Sequence, residues 1–213
     1  MISVNPTSRW TRSRRRQRDV LEAALACFTE LGFAATTMAD VCRRSRASVG
    51  SVYHHFESKE QLAAELFLEG LRDYQQGLLD RLGRIDSDRR GSGRRLVRAI
   101  VDQYLVWVEA RADWARYLIE FGHAPFIGAV DGELQDLNRE FFSRLEQALE
   151  PAVQRGELRR LPRDLTLALI VGPAREFARR WLRDRTETAM ADARRLLPGA
   201  AYRSLAKPNK RGE

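Results

Sequence analysis

The chain has 213 residues, of which 44% are hydrophobic and 31% are charged. At roughly 150 residues per domain, this length allows one domain or two small ones, and the composition is globular rather than disordered. No apolar stretch approaches the ~20 residues of a membrane span, and the basic segment 12–18 is followed by acidic residues rather than by a signal peptide core. We therefore expect a cytoplasmic protein with no membrane partner.

The sequence offers little for metal or catalytic chemistry. Cys27 and Cys42 are too few for a disulfide framework, and we expect them to be small core side chains. Of the histidines, His54 and His55 are adjacent and diverge on a helix, which leaves His123 alone. No Ser-His-Asp grouping, HExxH motif or phosphate-binding loop is present. We expect no metal, no cofactor and no enzymatic activity.

The formal net charge is +8, and the basic residues gather at the two ends. Residues 1–18 contain six arginines and no acidic residue, and the tail from Tyr202 adds four basic residues against Glu213. Such a concentration of charge suits a polyanion, for example nucleic acid, although a solvated tail is the alternative. We expect residues 1–13 and 199–213 to be disordered basic segments.

Apolar residues recur with helical spacing throughout the chain, while the alternation of a strand is missing, which predicts an all-α protein of about nine to ten helices. The loop-like stretch 84–93 separates the first four helices from the rest. The predicted helices cover residues 19–31, 37–44, 48–55, 58–83, 96–108, 113–121, 134–155, 164–184 and 188–197.

The second and third predicted helices are joined by the short turn Ser45–Ala47, which predicts a helix-turn-helix. The third helix is the one that can enter a major groove about 12 Å wide. Its Val52 and Phe56 share a face that can anchor it, and Ser48 can cap its first turn. The remaining residues, from Val49 to His54, are small or carry polar tips on the outer side.

Residues 14–67 resemble the DNA-binding domain of the TetR family of bacterial transcriptional regulators. The resemblance rests on four groups of residues: Leu21-Glu22-Ala23-Ala24, Phe28-x-x-x-Gly32-Phe33, Thr36-Thr37-Met38-x-Asp40-Val41, and Val52-Tyr53-His54-His55-Phe56-x-Ser58-Lys59-x-x-Leu62. It implies a helix-turn-helix domain over residues 14–60, with the fourth helix leading into an effector-binding and dimerisation domain over 61–198. It also implies a homodimer of about nine helices per chain.

The resemblance assigns phosphate contacts to Thr37 and Lys59, and base or backbone contacts to the turn and the third helix. Two positions depart from the family pattern: Arg46 stands where glycine is common, and Val49 replaces a frequent lysine or arginine. Arg46 either restores positive charge or strains the turn, if that position is left-handed. The expected DNA-binding residues are Thr37, Arg46, Ser48, Val49, Gly50, Ser51, Tyr53, His54 and Lys59.

Aromatic residues gather between residues 104 and 126, and an apolar cavity with a few polar groups is what a small-molecule site needs. The alternative is that these side chains are the core of a helical domain. The expected effector-binding residues are Trp107, Trp114, Tyr117, Phe121, His123 and Phe126.

The segments 132–155 and 164–184 lie where the resemblance places the family's dimerisation helices, which form a four-helix bundle across a two-fold axis. Pro173, inside the second segment, should kink or shift that helix. An intramolecular hairpin is the alternative. The expected interface residues are Phe141, Leu145, Leu149, Leu169, Gly172, Phe177 and Trp181.

Taken with the resemblance, the sequence predicts a homodimeric repressor that binds a palindromic double-stranded operator and is released by a small apolar or aromatic effector. Two alternatives stay open: a DNA-binding regulator without a small effector, and an all-α enzyme, which no motif supports.

Overall fold

All regular secondary structure in the described part of the chain is helical, apart from one isolated bridge between Leu158 and Ala206. The structure is a computed structural model that describes residues 6–184 and 188–207. The predicted all-α fold is confirmed. The α-helices are α1 (Pro6–Leu31), α2 (Met38–Ser45), α3 (Val49–His55), α4 (Lys59–Leu82), α5 (Ser92–Ala110), α6 (Ala112–Phe121), α7 (Asp131–Gln154), α8 (Arg163–Asp184) and α9 (Met190–Leu205), with a 3₁₀ helix (Pro125–Val130) before α7.

The chain forms two compact units, and the division differs from the predicted domain boundary at residue 60. The N-terminal unit comprises the residues up to Gly70 together with Tyr117–Gly132, and the C-terminal unit comprises Leu71–Arg116 and the residues from Glu133 onward. The boundary therefore falls inside α4. Segment 117–132, which the sequence assigned to the second domain, belongs to the first.

Both ends of the chain contain more helix than the sequence predicted. Helix α1 begins at Pro6 rather than at residue 19, with proline at the first helical position, where its missing N–H is not needed. Helix α9 continues through residues 199–205, because Ala201 and Leu205 are buried. Residues 6–13 and 199–205 are thus helical, and residues 1–5 and 208–213 of the predicted basic segments lie outside the described residues.

Buried apolar side chains form the core of the N-terminal unit. Val20, Ala24 and Phe28 recur along one face of α1, and Leu62 and Leu66 on α4 are fully buried. Cys27 and Cys42 are both buried and unbridged, as the sequence predicted. This spacing explains why residues 20–31 were recognisable as an amphipathic helix.

Helix α5 is the centre of the C-terminal unit and packs against α8 and α9. Its Asp102 accepts hydrogen bonds from Arg81 on α4 at 2.6 Å and from Arg194 on α9 at 2.9 Å. These two guanidinium groups outweigh the effect of burial and hold the pKa of Asp102 below its usual value. Helix α8 runs through Pro173 without ending there. No helix in the described ranges is both long and apolar enough to cross a bilayer.

Glu157 joins the start of α5 to the segment that follows α7. Its carboxylate accepts the backbone N–H groups of Gly91 at 2.8 Å and Gly93 at 2.9 Å, and the Arg155 guanidinium at 3.0 Å. Burial alone would raise the pKa of Glu157, but these three donors lower it below the usual value. A Cβ atom at Gly93 would stand 3.1 Å from both Leu158 and Glu157, so the two segments meet closely there.

We expect Glu157→Gln to lower the free energy of unfolding by about 1–3 kcal/mol, because an amide nitrogen would then face a buried backbone donor. The folded-state pKa is depressed, so the contribution is complete above the unfolded pKa of about 4.3 and is lost as the pH falls through the folded value. Urea unfolding at pH 7 and pH 3 measures both effects. Glu150→Gln, which removes an exposed ion pair with Arg160, is the control and should change little. An equal loss at both pH values would contradict this role.

Candidate nucleic-acid interface

Helix α2 begins with a capping box, and the spacing of Thr37 and Asp40 along the sequence is typical of that motif. The Thr37 hydroxyl accepts the Asp40 N–H at 3.2 Å and donates to the Asp40 carboxylate at 2.6 Å, which also accepts the Thr37 N–H at 2.9 Å. These bonds hold the pKa of Asp40 below its usual value. The hydroxyl proton of Thr37 is therefore committed to an ionised carboxylate, which competes with the phosphate contact expected for this residue.

The turn between α2 and α3 places Arg46 in the left-handed region, with φ 55° and ψ 25°. Among the described residues it is the one non-glycine residue with positive φ. For a residue with a Cβ atom this conformation costs about 1–2 kcal/mol. The sequence raised this strain as one of two outcomes for Arg46, and the structure shows it; the side chain is exposed, so its charge faces solvent.

We expect Arg46→Gly to raise the free energy of unfolding by about 1 kcal/mol, because glycine adopts this backbone conformation without the steric cost. Arg46→Ala is the matched control, since it removes the same charge but keeps the Cβ atom. Thermal unfolding of both variants separates strain from charge. Equal melting temperatures for the glycine and alanine variants would contradict the assignment.

Helix α3 has one buried face and one open face. Ser48 caps it by accepting the Ser51 N–H at 3.2 Å, and Val52 and Phe56 are fully buried. On the other face, the side chain of Val49 is 58% exposed and that of Tyr53 is 47% exposed. Gly50 and His54 are also exposed, and a Cβ atom at Gly50 would meet nothing within 4 Å. The open face can thus approach a flat or grooved partner closely.

Two features fix the charge around this face. Arg44 on α2 pairs with Glu30 on α1 through both of its terminal nitrogens, which ties the two helices together. Burial lowers the pKa of His55, and electrostatic interactions with the neighbouring His54 and Arg16 lower it further. The neutral form of His55 is therefore favoured at neutral pH.

Lys59, for which the sequence predicted a phosphate contact, is engaged inside the N-terminal unit. Its ammonium group donates to the carbonyl oxygens of Phe33 at 2.9 Å, Ala34 at 3.4 Å and Thr36 at 2.9 Å. It also lies 4.5 Å from the centre of the Phe33 ring. An ammonium group has three donors. Lys59 therefore acts as a clamp: its ammonium group binds three carbonyl oxygens of the connection between α1 and α2, which lies more than 20 residues earlier in the sequence.

We expect Lys59→Met to lower the free energy of unfolding by about 1.5–3 kcal/mol, because it removes charged hydrogen bonds but keeps the apolar stem. The slope of DNA affinity against salt should stay unchanged, because no phosphate contact is lost. Arg46→Ala, which removes an exposed cation, is the control for that slope. Unchanged stability with a reduced slope would restore the phosphate contact.

The sequence of this chain is similar to those of known proteins. The sequence model described as "Bacterial regulatory proteins, tetR family" matches residues 20–66. The HTH-type transcriptional regulator BetI of Paraburkholderia xenovorans (strain LB400) is 30% identical over 158 residues, covering 74% of this chain and 78% of BetI. The chain belongs to the TetR family.

Two further similarities differ in extent. The HTH-type transcriptional repressor KstR2 of Mycobacterium tuberculosis is 44% identical over 59 residues, which is 28% of this chain and only 29% of that protein. The crystal structure of a TetR family transcription regulator from Marinobacter aquaeolei VT8 has a TM-score of 0.76 and 21% identity, and the match covers 93% of this chain and 99% of that one. The latter likeness concerns the fold.

The six residues expected to form one effector pocket in this TetR-family chain are divided between the two units. Trp107 and Trp114 belong to the C-terminal unit, and the other four belong to the N-terminal unit. Trp107 is buried and its indole N–H donates to Asp73 at 2.8 Å, whereas His123 is exposed. Neither unit contains all six residues, so the common pocket stays a prediction.

Three of these residues form an aromatic cluster with side chains of the helix-turn-helix region. Phe33 lies 4.9 Å from Phe126 and 6.1 Å from Phe121, measured between ring centroids, and Tyr117 lies 6.0 Å from Phe28. The Tyr117 hydroxyl donates to the Ala63 carbonyl at 2.8 Å, and burial raises its pKa. Tyr117 is buried in the core of the N-terminal unit, whereas Phe121 and Phe126 are half-buried at its edge. For Tyr117, the structure therefore shows the core position that the sequence left open as the alternative.

The C-terminal unit has its own aromatic cluster, which sequence reasoning missed as a group. Tyr74 on α4 lies 5.8 Å from Tyr104, 5.4 Å from Trp107 and 6.5 Å from Phe141. Burial raises the pKa of Tyr74, and that of Tyr104 to about 12. Tyr74 fitted the helical period of α4, but spacing alone could not show which aromatic residues of other helices it meets.

A cavity of about 250 Å³ lies in the C-terminal unit between α7, residues 158–161 and α8. Leu145, Leu149 and Ile170 contribute to an apolar lining. Two ion pairs from α7, Glu146–Arg163 and Glu150–Arg160, also line it. None of the six predicted effector residues lines this cavity. In the described ranges, no group of three or more His, Cys, Asp and Glu residues could hold a metal ion.

The residues predicted for the dimer interface fall into two classes. Phe141, Leu145 and Leu149 on α7 are buried within the chain itself, so this part of the prediction is corrected. An apolar stripe reveals burial but not whether the partner is the same chain. The four residues on α8 are half-buried: Leu169, Gly172, Phe177 and Trp181.

Proposed function

We propose that the protein is a transcriptional repressor that binds a palindromic DNA operator as a homodimer and is released by a small apolar or aromatic molecule. The observation that carries the proposal is the open face of α3. It is anchored from behind by Val52 and Phe56 and presents Val49, Tyr53 and His54 outward. A short, capped helix that has both buried anchoring side chains and exposed side chains is typical of the reading helix in a helix-turn-helix.

The charge around α3 supports a nucleic-acid partner. Residues 41–56 contain three arginines and no acidic residue. Arg43 and Arg44 pair with Asp40 and Glu30, while Arg46 in the turn is exposed. An exposed guanidinium beside a reading helix suits a phosphate contact, which positions a protein on DNA without reading sequence.

We propose a homodimer because a palindromic operator has two half-sites. Each half-site needs its own reading helix, and two such helices lie about 34–36 Å apart on successive major grooves. The exposed apolar side chains that suit a second copy are Leu165 on α8, 51% exposed, and Leu196 on α9, 57% exposed. At Gly172, a Cβ atom would meet nothing within 4 Å, which leaves room for a close helix. We therefore propose α8 and α9, rather than α7, as the interface.

The cavity of about 250 Å³ supports a small effector. Its size is just below the usual range for ligand pockets, about 300–1,000 Å³, and its apolar lining with charged groups is typical of such sites. An effector acts only if it binds the form with low DNA affinity more tightly than the form with high affinity. We propose this cavity as the effector site in place of the six predicted aromatic and histidine residues.

A regulator without a small effector is the second candidate. The observation that favours it is the packing of Tyr117, Phe121 and Phe126 against one another in the N-terminal unit, where these rings contact each other instead of lining the cavity. Control would then come from a protein partner, or binding would be constitutive.

Selection of random-sequence duplexes at roughly 0.15 M salt tests the proposal. We expect an enriched palindrome whose half-sites lie about 10 base pairs apart or a multiple of that spacing, because the two reading helices must face the same side of DNA. The selected operator then serves to screen small apolar compounds for release. No enrichment despite tight binding at low salt would contradict a sequence-specific regulator. An operator that no compound releases would favour the second candidate.

A further inference from the structure

The side chains of α3 lack the groups that most often distinguish bases by hydrogen bonds. Arginine and lysine recognise guanine, asparagine and glutamine recognise adenine, and acidic side chains accept from cytosine. None of these residues occurs between Ser48 and Phe56. Ser51, Tyr53 and His54 can still form hydrogen bonds, but none of them is the usual partner of one particular base. The contact on this helix that does select one base is apolar, because it recognises the C5-methyl group of thymine in the major groove.

Val49 is the side chain placed to make that contact. It is the first residue of α3, and the N-terminal residues of a reading helix are those that contact base edges. The side chain of Val49 is 58% exposed, whereas that of Val52, three residues later in the same helix, is fully buried. Gly50 beside it adds no side chain that could keep a base at a distance.

Local stability does not account for an exposed valine at this position. Valine is a poorer helix former than alanine, lysine or arginine. Because the side chain of Val49 is exposed to water, it also contributes little hydrophobic stabilisation to the fold. The Ser48 hydroxyl, one residue earlier, is occupied as the cap of α3. Tyr53 lies one turn further along the same face, so Val49 and Tyr53 form a short apolar strip.

We propose that Val49 reads the C5-methyl group of one thymine in each operator half-site. This inference rests on the proposed function, since it needs α3 to lie in the major groove. It makes Val49 a residue that contributes to specificity, and it predicts a preference for thymine at the position that faces the start of α3.

Replacing each thymine of the selected operator in turn by deoxyuridine tests the proposal, because this change removes only the methyl group. We expect a weakening of about fourfold for each half-site at one thymine position, from the usual contribution of one buried methyl group. In Val49→Ala, the shorter side chain has less contact with the methyl group, so the preference for thymine over deoxyuridine at that position should shrink. Alanine is the better helix former, so α3 should remain folded in this variant.

Tyr53→Ala is the matched control on the same strip and should keep the preference for thymine at that position. The proposal is overturned if Val49→Ala keeps the full preference, or if Tyr53→Ala alone abolishes it. Equal binding of every deoxyuridine operator by the unmodified protein also overturns it, while leaving the proposed function intact. If the protein selects no operator at all, the proposed function fails first and this inference fails with it.

Discussion

One clamp joins the two segments that flank helices α2 and α3: carbonyl oxygens of the α1–α2 connection hold the Lys59 ammonium group. The first residue of α4 is thereby fixed to the segment that leads into α2. The ring of Phe33 lies against the same ammonium group and against Phe126 from segment 117–132. A cation at the start of a helix is unfavourable for the helix dipole, so its retention reflects these tertiary contacts. Without the clamp, the short helices α2 and α3 would depend on their caps and on a few buried side chains.

This arrangement bears on how an effector could act. The chain passes between its two compact units at three places, within α4 and at the two ends of segment 117–132. These three crossings lie in two segments, α4 and residues 117–132, and both segments contact Phe33: α4 through Lys59 at its start, and residues 117–132 through their aromatic rings. A change in either of them would therefore reach the segment before α2. Such coupling requires that the two forms of the protein differ in effector affinity, which is a thermodynamic condition rather than a pathway.

The sequence predicted what local chemistry determines and missed what distant contacts determine. Thr37 and Ser48 cap their helices as expected, since capping needs only residues a few positions apart. The left-handed turn at Arg46 was also foreseeable from the residue usual at that position. By contrast, the role of Lys59 depends on carbonyls 23 to 26 residues earlier. The burial of Leu149 within its own chain likewise depends on tertiary packing, which an apolar stripe cannot specify.

The two departures from the family pattern, Arg46 and Val49, have one physical explanation. Positive charge is absent at position 49 and present at position 46, where the backbone must adopt the left-handed conformation. A cation in the turn can contact phosphate, which contributes affinity and salt dependence but no sequence information. With no charge on α3, its first residue is apolar, and the contact that we propose for it with a base would not depend on salt. The strain at Arg46, about 1–2 kcal/mol, is then the energetic cost of separating affinity from base reading.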